Sequence, residues 1–353
     1  MGVTLVVGTD KGGFVYRSDD SRQKWRIEGP FFKGWKVTAA ARAGDGTWLV
    51  GTASDVYGSA IHKSADLRDW RQVPQGPAYA PESNRKLTQI WRIVAPDSIW
   101  YAGVAEAGLF RSTDNGESWQ PLAGLNDHRS RGNWCPGAGG LCAHSILIDP
   151  GNSKRLWCGI SAVGVFRSDD AGVTWTAKND GVPIILEDKD FCDIGFCVHT
   201  IVADPSDPNR IYRQDHRGMF RSSDAGDHWE RIENGLTSGY GFPLAIDRRS
   251  RALFAFPLES DEYRAPQGGQ FRIFRSTDSG DSWHALTEGL PQEHVYANVL
   301  RGAMDADHLS PGGVYVGTTS GDVFVTRNGG DRWFALPGRL PRIHCVAAIT
   351  EGA

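Results

Sequence analysis

Two short segments pair a cysteine with a histidine at the same spacing. They read Cys142-Ala-His144 and Cys197-Val-His199. Residues two apart on a strand face the same side, so each segment can present a thiol and an imidazole together. These ligand types suit zinc or copper. We predict that His144 and His199 hold a divalent metal, Zn or Cu. The alternative is that each cysteine is a small core residue beside a hydrogen-bonded histidine.

A third histidine and a carboxylate complete the predicted cluster. His216 lies in a hairpin that follows the His199 strand, and Glu259 lies at the end of a strand in the next repeat. Two histidines and a carboxylate can hold a divalent ion with positions left for water or substrate. The neighbouring Asp261 and Glu262 fit a solvated loop. The predicted catalytic residues are His144, His199, His216 and Glu259, and the predicted metal ligands are the three histidines.

Aromatic or imidazole residues recur where we expect the innermost strands to start. The positions are Trp35, Trp91, His144, His199, Phe242, Tyr296 and His344. Side chains there would surround a central channel, so we predict that Trp35, Trp91, Tyr296 and His344 contact substrate. Arg92 and Arg301 follow such positions and are predicted to bind an anionic group. The alternatives are bulky filler for Trp35, Trp91 and Phe242, and a structural carboxylate partner for each arginine.

A repeated motif, R-S-x-D-x-G-x-x-W, provides the framework for these residues. Four nearly intact copies begin at Ser112, Ser168, Ser222 and Ser276, and three worn copies begin at Ser18, Ser64 and Thr326. The copies are about 50 residues apart, which is typical of propeller blades. In each copy, the aspartate and glycine suit a tight turn between two short strands, and the tryptophan suits packing between blades.

The motif resembles the BNR or Asp-box repeat of sialidases and related propellers, and the resemblance covers essentially the whole chain. It implies an all-β fold, a seven-bladed β-propeller of four-stranded antiparallel blades in a single domain over residues 1–353. The C-terminal segment 343–349 is predicted to be the innermost strand of the blade that contains Phe14 to Trp25, so that the two termini close the ring. The sequence is also similar to a group of bacterial single-domain BNR proteins. The motif itself indicates the fold, not the chemistry.

The Asp boxes are expected in the turns between the third and fourth strands of each blade. In enzymes that this repeat resembles, the opposite face holds the active site. Long connections are predicted on that face, where regular blades do not need them, and they favour a functional role. They run from Gln72 to Gln89, from Leu122 to Leu141, from Asn179 to Gly195 and from Leu258 to Gly269.

The composition limits the classes of binding partner and the cellular compartment that we expect. The 353 residues carry a formal net charge of -4, which disfavours nucleic acid or an acidic membrane surface as a partner. No apolar run approaches the roughly 20 residues of a membrane span, and the N-terminal residues read as a strand, so we expect a cytoplasmic protein. Its six cysteines are then expected to be reduced, although Cys135/Cys142 and Cys192/Cys197 are close enough in sequence to form loop disulfides.

Two classes of function fit these features. One is a glycosidase-like or metal-assisted hydrolase or lyase acting on a carbohydrate or another small polar ligand. A true sialidase is not expected, because catalytic sialidases have six blades and an Arg-Ile-Pro segment that this sequence lacks. The other is a non-catalytic binding or assembly scaffold with a protein partner, since seven-bladed Asp-box rings also resemble photosystem II assembly factors and sortilin-type receptors.

Overall fold

Seven antiparallel sheets of four strands each form a ring in the computed structural model, which describes residues 2–186 and 192–351. The architecture is the seven-bladed β-propeller that the repeats predict. Short strands alternate with tight turns along the chain, and each blade is built from four consecutive strands except at the closure. The strands are β1 to β28 in chain order, with bounds as follows.

The first three blades contain β1 Gly2–Thr9, β2 Gly12–Asp19, β3 Arg26–Phe31, β4 Lys36–Arg42, β5 Trp48–Ser54, β6 Gly58–Ser64, β7 Arg71–Gln72, β8 Gln89–Val94, β9 Trp100–Ala105, β10 Gly108–Ser112 and β11 Gln120–Pro121. The fourth and fifth contain β12 Ala143–Asp149, β13 Asn152–Ile160, β14 Gly164–Ser168, β15 Thr176–Ala177, β16 Val198–Asp204, β17 Asp207–Asp215, β18 Gly218–Ser222 and β19 Glu230–Arg231. The sixth and seventh contain β20 Gly241–Ile246, β21 Leu253–Pro257, β22 Ile273–Ser276, β23 His284–Leu286, β24 Met304–Ala306, β25 Val314–Gly317, β26 Val323–Thr326 and β27 Trp333–Ala335.

The C-terminal strand closes the ring. This strand, β28 (Ile343–Glu351), pairs antiparallel with β1, and the first blade has the order β28-β1-β2-β3. The predicted closure is therefore confirmed, with the strand extending two residues beyond the predicted end. Pairing the two ends of the chain gives the first blade its fourth strand, as in the other six blades.

The hydrophobic core lies mainly between neighbouring blades. One buried cluster joins the second and third blades through Leu49, Ile61, Trp100 and Trp119, and another joins the third and fourth through residues such as Phe166. Strand residues alternate between the two faces of a blade, so both faces of each sheet supply apolar side chains to adjacent clusters. The Asp-box tryptophans pack in these clusters, as the repeat predicts.

The Asp boxes form hydrogen-bonded turns between the third and fourth strands. In the fourth blade, Asp170 accepts bonds from the Ser168 hydroxyl (2.8 Å), the Thr174 amide (2.9 Å) and the Thr174 hydroxyl (2.6 Å). The Gly172 amide donates to the Ser168 hydroxyl at 2.8 Å, and Gly172 has a φ of +88°, which favours glycine. The hydrogen bond from Thr174 is the first cause that lowers the pKa of Asp170 to about 2.

Long connections lie on the face opposite the Asp boxes. Those at 73–88, 122–142 and 258–272 correspond to predicted loops, as do the described parts of a fourth connection, 178–186 and 192–197; residues 187–191 of that predicted loop lie outside the described residues. The segment 122–142 contains the short helix α1 (Ala123–Asn126) and a 3₁₀ turn, Arg131–Asn133; two more 3₁₀ turns are Pro81–Ser83 and Gln267–Gly269. A fifth connection, 287–303, was not expected. Among the described residues, no helix has the length and apolar character needed to span a membrane.

Candidate functional site

The innermost strands share a β-bulge near their starts. In β8, β12, β16 and β28, the ladder to the neighbouring strand skips one residue, which is Trp91, His144, His199 or His344. A bulge leaves its extra residue outside the ladder and redirects the side chain. The repeated bulge explains why these four residues stand at matching places around the channel mouth.

Two of the predicted positions do not match this pattern. The skipped residue of β4 is Thr38, so Trp35 precedes the corresponding place by three residues. The inner strand of the seventh blade is β24, and Tyr296 lies in the connection before it with 65% of its surface exposed. The predicted equivalence of Trp35 and Tyr296 with the other ring positions was therefore wrong, because aligning the starts of apolar runs does not reveal the bulge or the inserted connection.

Side chains at the bulges bond to the next blade. Thr38 Oγ1 donates to the Ile90 carbonyl at 2.7 Å, His144 Nε2 lies 2.9 Å from the Val198 carbonyl, and His199 Nδ1 lies 2.6 Å from the Gly241 carbonyl. In each case, the carbonyl belongs to the residue just before the next bulge. A carbonyl only accepts, so the facing nitrogen of each histidine must carry the proton. These bonds satisfy backbone groups that the bulges remove from the ladder.

The two C-x-H segments therefore present different histidine nitrogens. His144 uses Nε2 toward the Val198 carbonyl and Nδ1 toward the Ser145 hydroxyl, at 3.1 Å. Both of its nitrogens are occupied, so His144 does not present a free lone pair as a metal ligand. His199 donates from Nδ1, which leaves Nε2 as an acceptor directed to Cys197 Sγ at 3.7 Å.

Three residues of the fifth blade form a compact donor cluster. One ligand atom from each of Cys197, His199 and His216 lies within 4.8 Å of the others. The structure thus brings His199 and His216 together as predicted from the sequence, but the third member is Cys197 in place of His144. None of the three lines the central channel among the described residues. The cluster lies beside the mouth and opens to solvent through His216, whose side chain is 23% exposed.

Asp261 orients His216, the partly exposed histidine of the cluster. His216 Nε2 lies 2.9 Å from Asp261 Oδ2, in the long connection of the sixth blade. Glu259, the predicted carboxylate, is exposed, and its backbone amide bonds to the Ala265 carbonyl. The choice of Glu259 was wrong because the loop turns after β21 and directs Asp261 toward the cluster. With Nε2–H donated to Asp261, the other ring nitrogen of His216 is free to act as a ligand.

Burial favours the neutral forms of Cys197 and His199. Burial, together with the Arg301 charge, holds the pKa of His144 and of His199 well below the ordinary value. Burial and then the Asp215 charge raise the pKa of the Cys197 thiol. Cys197 and His199 have the spacing of a thiol–imidazole dyad, but both directions oppose the ion pair that activates a cysteine nucleophile.

Arg301 extends into the mouth from the connection before β24. Its guanidinium lies 5.8 Å from the Trp91 ring and 5.0 Å from the Phe242 ring, on the third and sixth blades. Nη2 donates to the Ser161 hydroxyl at 3.2 Å. Arg301 therefore contacts side chains from several blades at the channel mouth, where a bound ligand would also contact them.

The central channel encloses about 570 Å³. Of the predicted substrate contacts, Trp91, Arg92, Arg301 and His344 line it. His344 also pairs with Asp10 at 2.6 Å. Trp35 lies apart, stacked on the exposed Tyr57 with ring centroids 5.6 Å apart.

A second cavity of about 740 Å³ lies under the 73–88 and 122–142 connections. Its wall includes Arg85, Arg131 and Trp134, and it shares Trp91 with the channel. The sequence predicts loops here but not this cavity, because the cavity wall combines residues from two distant loops.

All six cysteines lie in described parts of the chain, and all are free. Cys135 and Cys192 are exposed, whereas Cys142 is buried and Cys197 is partly buried. Neither of the two loop disulfides considered from the sequence is formed.

Comparisons with known proteins agree with the fold. The BNR/Asp-box repeat matches residues 110–121. The chain is a seven-bladed β-propeller with BNR/Asp-box repeats. A xyloglucanase of Hypocrea jecorina (strain QM6a) is 28% identical to this propeller over 128 residues, which cover 36% of the chain and 14% of the xyloglucanase.

Two solved structures share the architecture of this propeller. An ancestral GH74 enzyme has a TM-score of 0.53 and 16% identity, covering 84% of this chain and 37% of its own. A putative 6-phosphogluconolactonase from Bacteroides uniformis has a TM-score of 0.61 and 10% identity, covering 98% of this chain and 99% of its own. At these identities, the likeness concerns the fold. The propeller spans about a third of the GH74 enzyme and a smaller part of the xyloglucanase.

Proposed function

We propose that Cys197, His199 and His216 bind one zinc-type divalent ion, and that the propeller is a metal-assisted hydrolase or lyase for a carbohydrate or another small polar ligand. The observation that carries the proposal is the orientation of the two histidines. The Gly241 carbonyl engages one ring nitrogen of His199, and Asp261 engages one of His216. Metal-binding histidines typically donate their second ring nitrogen to a carbonyl or carboxylate in this way.

The donor spacing is close to that of a bound ion. Tetrahedral zinc with bonds of roughly 2.0–2.3 Å separates its ligand atoms by about 3.3–3.6 Å. The Cys197 Sγ to His199 Nε2 distance is 3.7 Å, and the full set lies within 4.8 Å. A small rotation of the partly exposed His216 would close the set. Three protein ligands leave the fourth position open, which is the arrangement of catalytic zinc sites.

The open position would supply the proposed chemistry. A zinc ion held by Cys197, His199 and His216 would lower the pKa of a bound water to about 7 and so make hydroxide available for hydrolysis near neutral pH. The similarity to a xyloglucanase and the shared architecture with a GH74 enzyme support a carbohydrate ligand.

Metal analysis of the purified full chain tests the binding step. After zinc loading and dialysis, we expect about one zinc per chain by mass spectrometry, reduced to near zero in Cys197→Ala and in His216→Ala. Cys142→Ala is the matched control, since it removes the thiol of the other C-x-H segment and should keep the zinc. Equal zinc in all four proteins, or none in the wild type, would contradict the proposal.

Activity is tested separately on the same proteins. Chromogenic aryl glycosides and aryl esters should be turned over by the zinc-loaded wild type and by Cys142→Ala, but not by the chelator-treated protein or His216→Ala. Turnover that survives removal of a stoichiometric zinc would show that the metal has no part in the reaction.

A further inference from the structure

We infer that Arg301 binds an oxyanion of the ligand, a carboxylate or a phosphate, at the channel mouth. The inference names the ligand class for the proposed function and rests on the mouth being the ligand site, but its test does not require the metal. The partners of the buried arginines in this chain differ from those of Arg301.

The deeply buried arginines in the described part of the chain, Arg22 and Arg213, each have a carboxylate partner. Arg213 and Asp215 are completely buried and pair at 2.5 Å. Arg22 and Asp307 pair at 3.0 Å with side chains 4% and 0% exposed. This pairing is expected, because an uncompensated buried charge is costly. The fold thus provides partners for its structural arginines.

Arg301 does not follow this rule. Its one hydrogen bond to a described residue is the bond to the neutral Ser161 hydroxyl. Its Nε is buried without a partner, and no described carboxylate forms an ion pair with it. Arg301 lines the channel cavity. A guanidinium stays protonated in proteins, so a positive charge with unused donors lies in the mouth.

A second arginine adds to the positive charge near Arg301. This residue, Arg264, lies over the same Phe242 ring at 5.7 Å, compared with 5.0 Å for Arg301. The flat, fork-shaped donor set of a guanidinium matches two oxygens of a carboxylate or phosphate. The apolar faces of the rings beside it strengthen such a contact.

Matched sugars give a direct test on the full-length protein. We expect glucuronate or glucose 6-phosphate to bind the wild type about tenfold or more tightly than neutral glucose, by calorimetry at fixed ionic strength. A preference for glucuronate alone identifies a carboxylate ligand, and a preference for glucose 6-phosphate alone identifies a phosphate ligand. The preference should disappear in Arg301→Met, which keeps apolar contact with the rings and removes the charge.

Stability provides a second readout that separates a ligand role from a structural one. Removing an uncompensated charge should leave the Tm of Arg301→Met unchanged or raised, whereas Arg213→Met should lower it by stranding Asp215. A Tm loss in Arg301→Met as large as that in Arg213→Met would overturn the inference. So would equal binding of glucose and both anions, no binding of either anion, or an anion preference that Arg301→Met retains.

Zinc measurements distinguish this inference from the proposed function. Arg301→Met should retain its zinc, and Cys197→Ala should retain the anion preference. If the wild type binds no zinc but shows the Arg301-dependent preference, the metal proposal fails and the oxyanion site stands.

Discussion

At the scale of single residues, hydrogen bonding decides what two similar segments can do. Cys142-Ala-His144 and Cys197-Val-His199 have the same spacing and occupy neighbouring blades. Yet His144 uses both ring nitrogens, and His199 keeps one directed to its cysteine. The sequence could identify both segments as candidates. It could not choose between them, because the choice depends on which nitrogen meets the next blade.

His144 should contribute to stability and not to metal binding. His144→Ala leaves the buried Val198 carbonyl without its 2.9 Å bond, and we expect the free energy of unfolding to fall by about 1–3 kcal/mol. Denaturant unfolding measures this change, and the zinc content should stay at the wild-type level. A loss of zinc from a folded His144→Ala protein would mean that His144 belongs to the ligand set.

At the scale of elements, the Asp boxes and the blades were predictable, but the positions within the inner strands were less so. The turn motif is local, since Ser168, Asp170 and Thr174 satisfy one another within seven residues. The bulge is set by pairing with another strand, and the 287–303 connection shifts the seventh inner strand. Trp35 and Tyr296 were misplaced for that reason, and the contact between Asp261 and His216 depends similarly on the path of a long loop.

The Asp-box turns should stabilise the fold without taking part in function. Asp170→Ala removes three side-chain hydrogen bonds, and we expect a loss of about 1–2 kcal/mol in the free energy of unfolding. Zinc binding and anion preference should not change. A variant with unchanged unfolding but reduced ligand binding would place this turn in the functional site.

The lowered pKa values of the Asp-box aspartates predict how the stability of the fold changes in acid. The pKa of Asp114, Asp170 and Asp278 is lowered to about 2, so each contributes stability above its unfolded pKa of about 3.9. That contribution is lost as the pH falls through the folded value, between about pH 4 and pH 2. Thermal unfolding across this range should show a shallower pH dependence in Asp170→Ala than in the wild type. Equal pH dependence in the two proteins would show that the Asp170 turn does not cause the loss of stability in acid.

At the scale of the whole molecule, the ring is closed by charge as well as by strand pairing. Arg22 stands in the worn Asp box of the first blade and pairs with Asp307 of the seventh. Asp307 also accepts bonds from the Tyr315 hydroxyl and from two backbone amides. The sequence predicted the closing strand from its apolar pattern. It did not predict this pair, because the partners are far apart along the chain.

Breaking the buried closure pair should be costly. Asp307→Asn leaves Arg22 buried without a countercharge, and we expect a loss of about 3–5 kcal/mol in the free energy of unfolding. Asp169→Asn is the control, because Asp169 pairs with Arg155 and Arg167 at an exposed site and should cost less than about 1 kcal/mol. Similar losses in the two variants would show that closure does not depend on the buried pair.

The zinc ligands can be measured most directly by X-ray absorption at the zinc edge of the loaded wild-type protein. We expect one sulfur at about 2.3 Å and two imidazole nitrogens at about 2.0–2.1 Å, with a light atom in the fourth position. In Cys142→Ala, the sulfur should remain, and in Cys197→Ala it should be absent. A zinc shell of nitrogen and oxygen alone, or a sulfur that persists without Cys197, would contradict the proposed site.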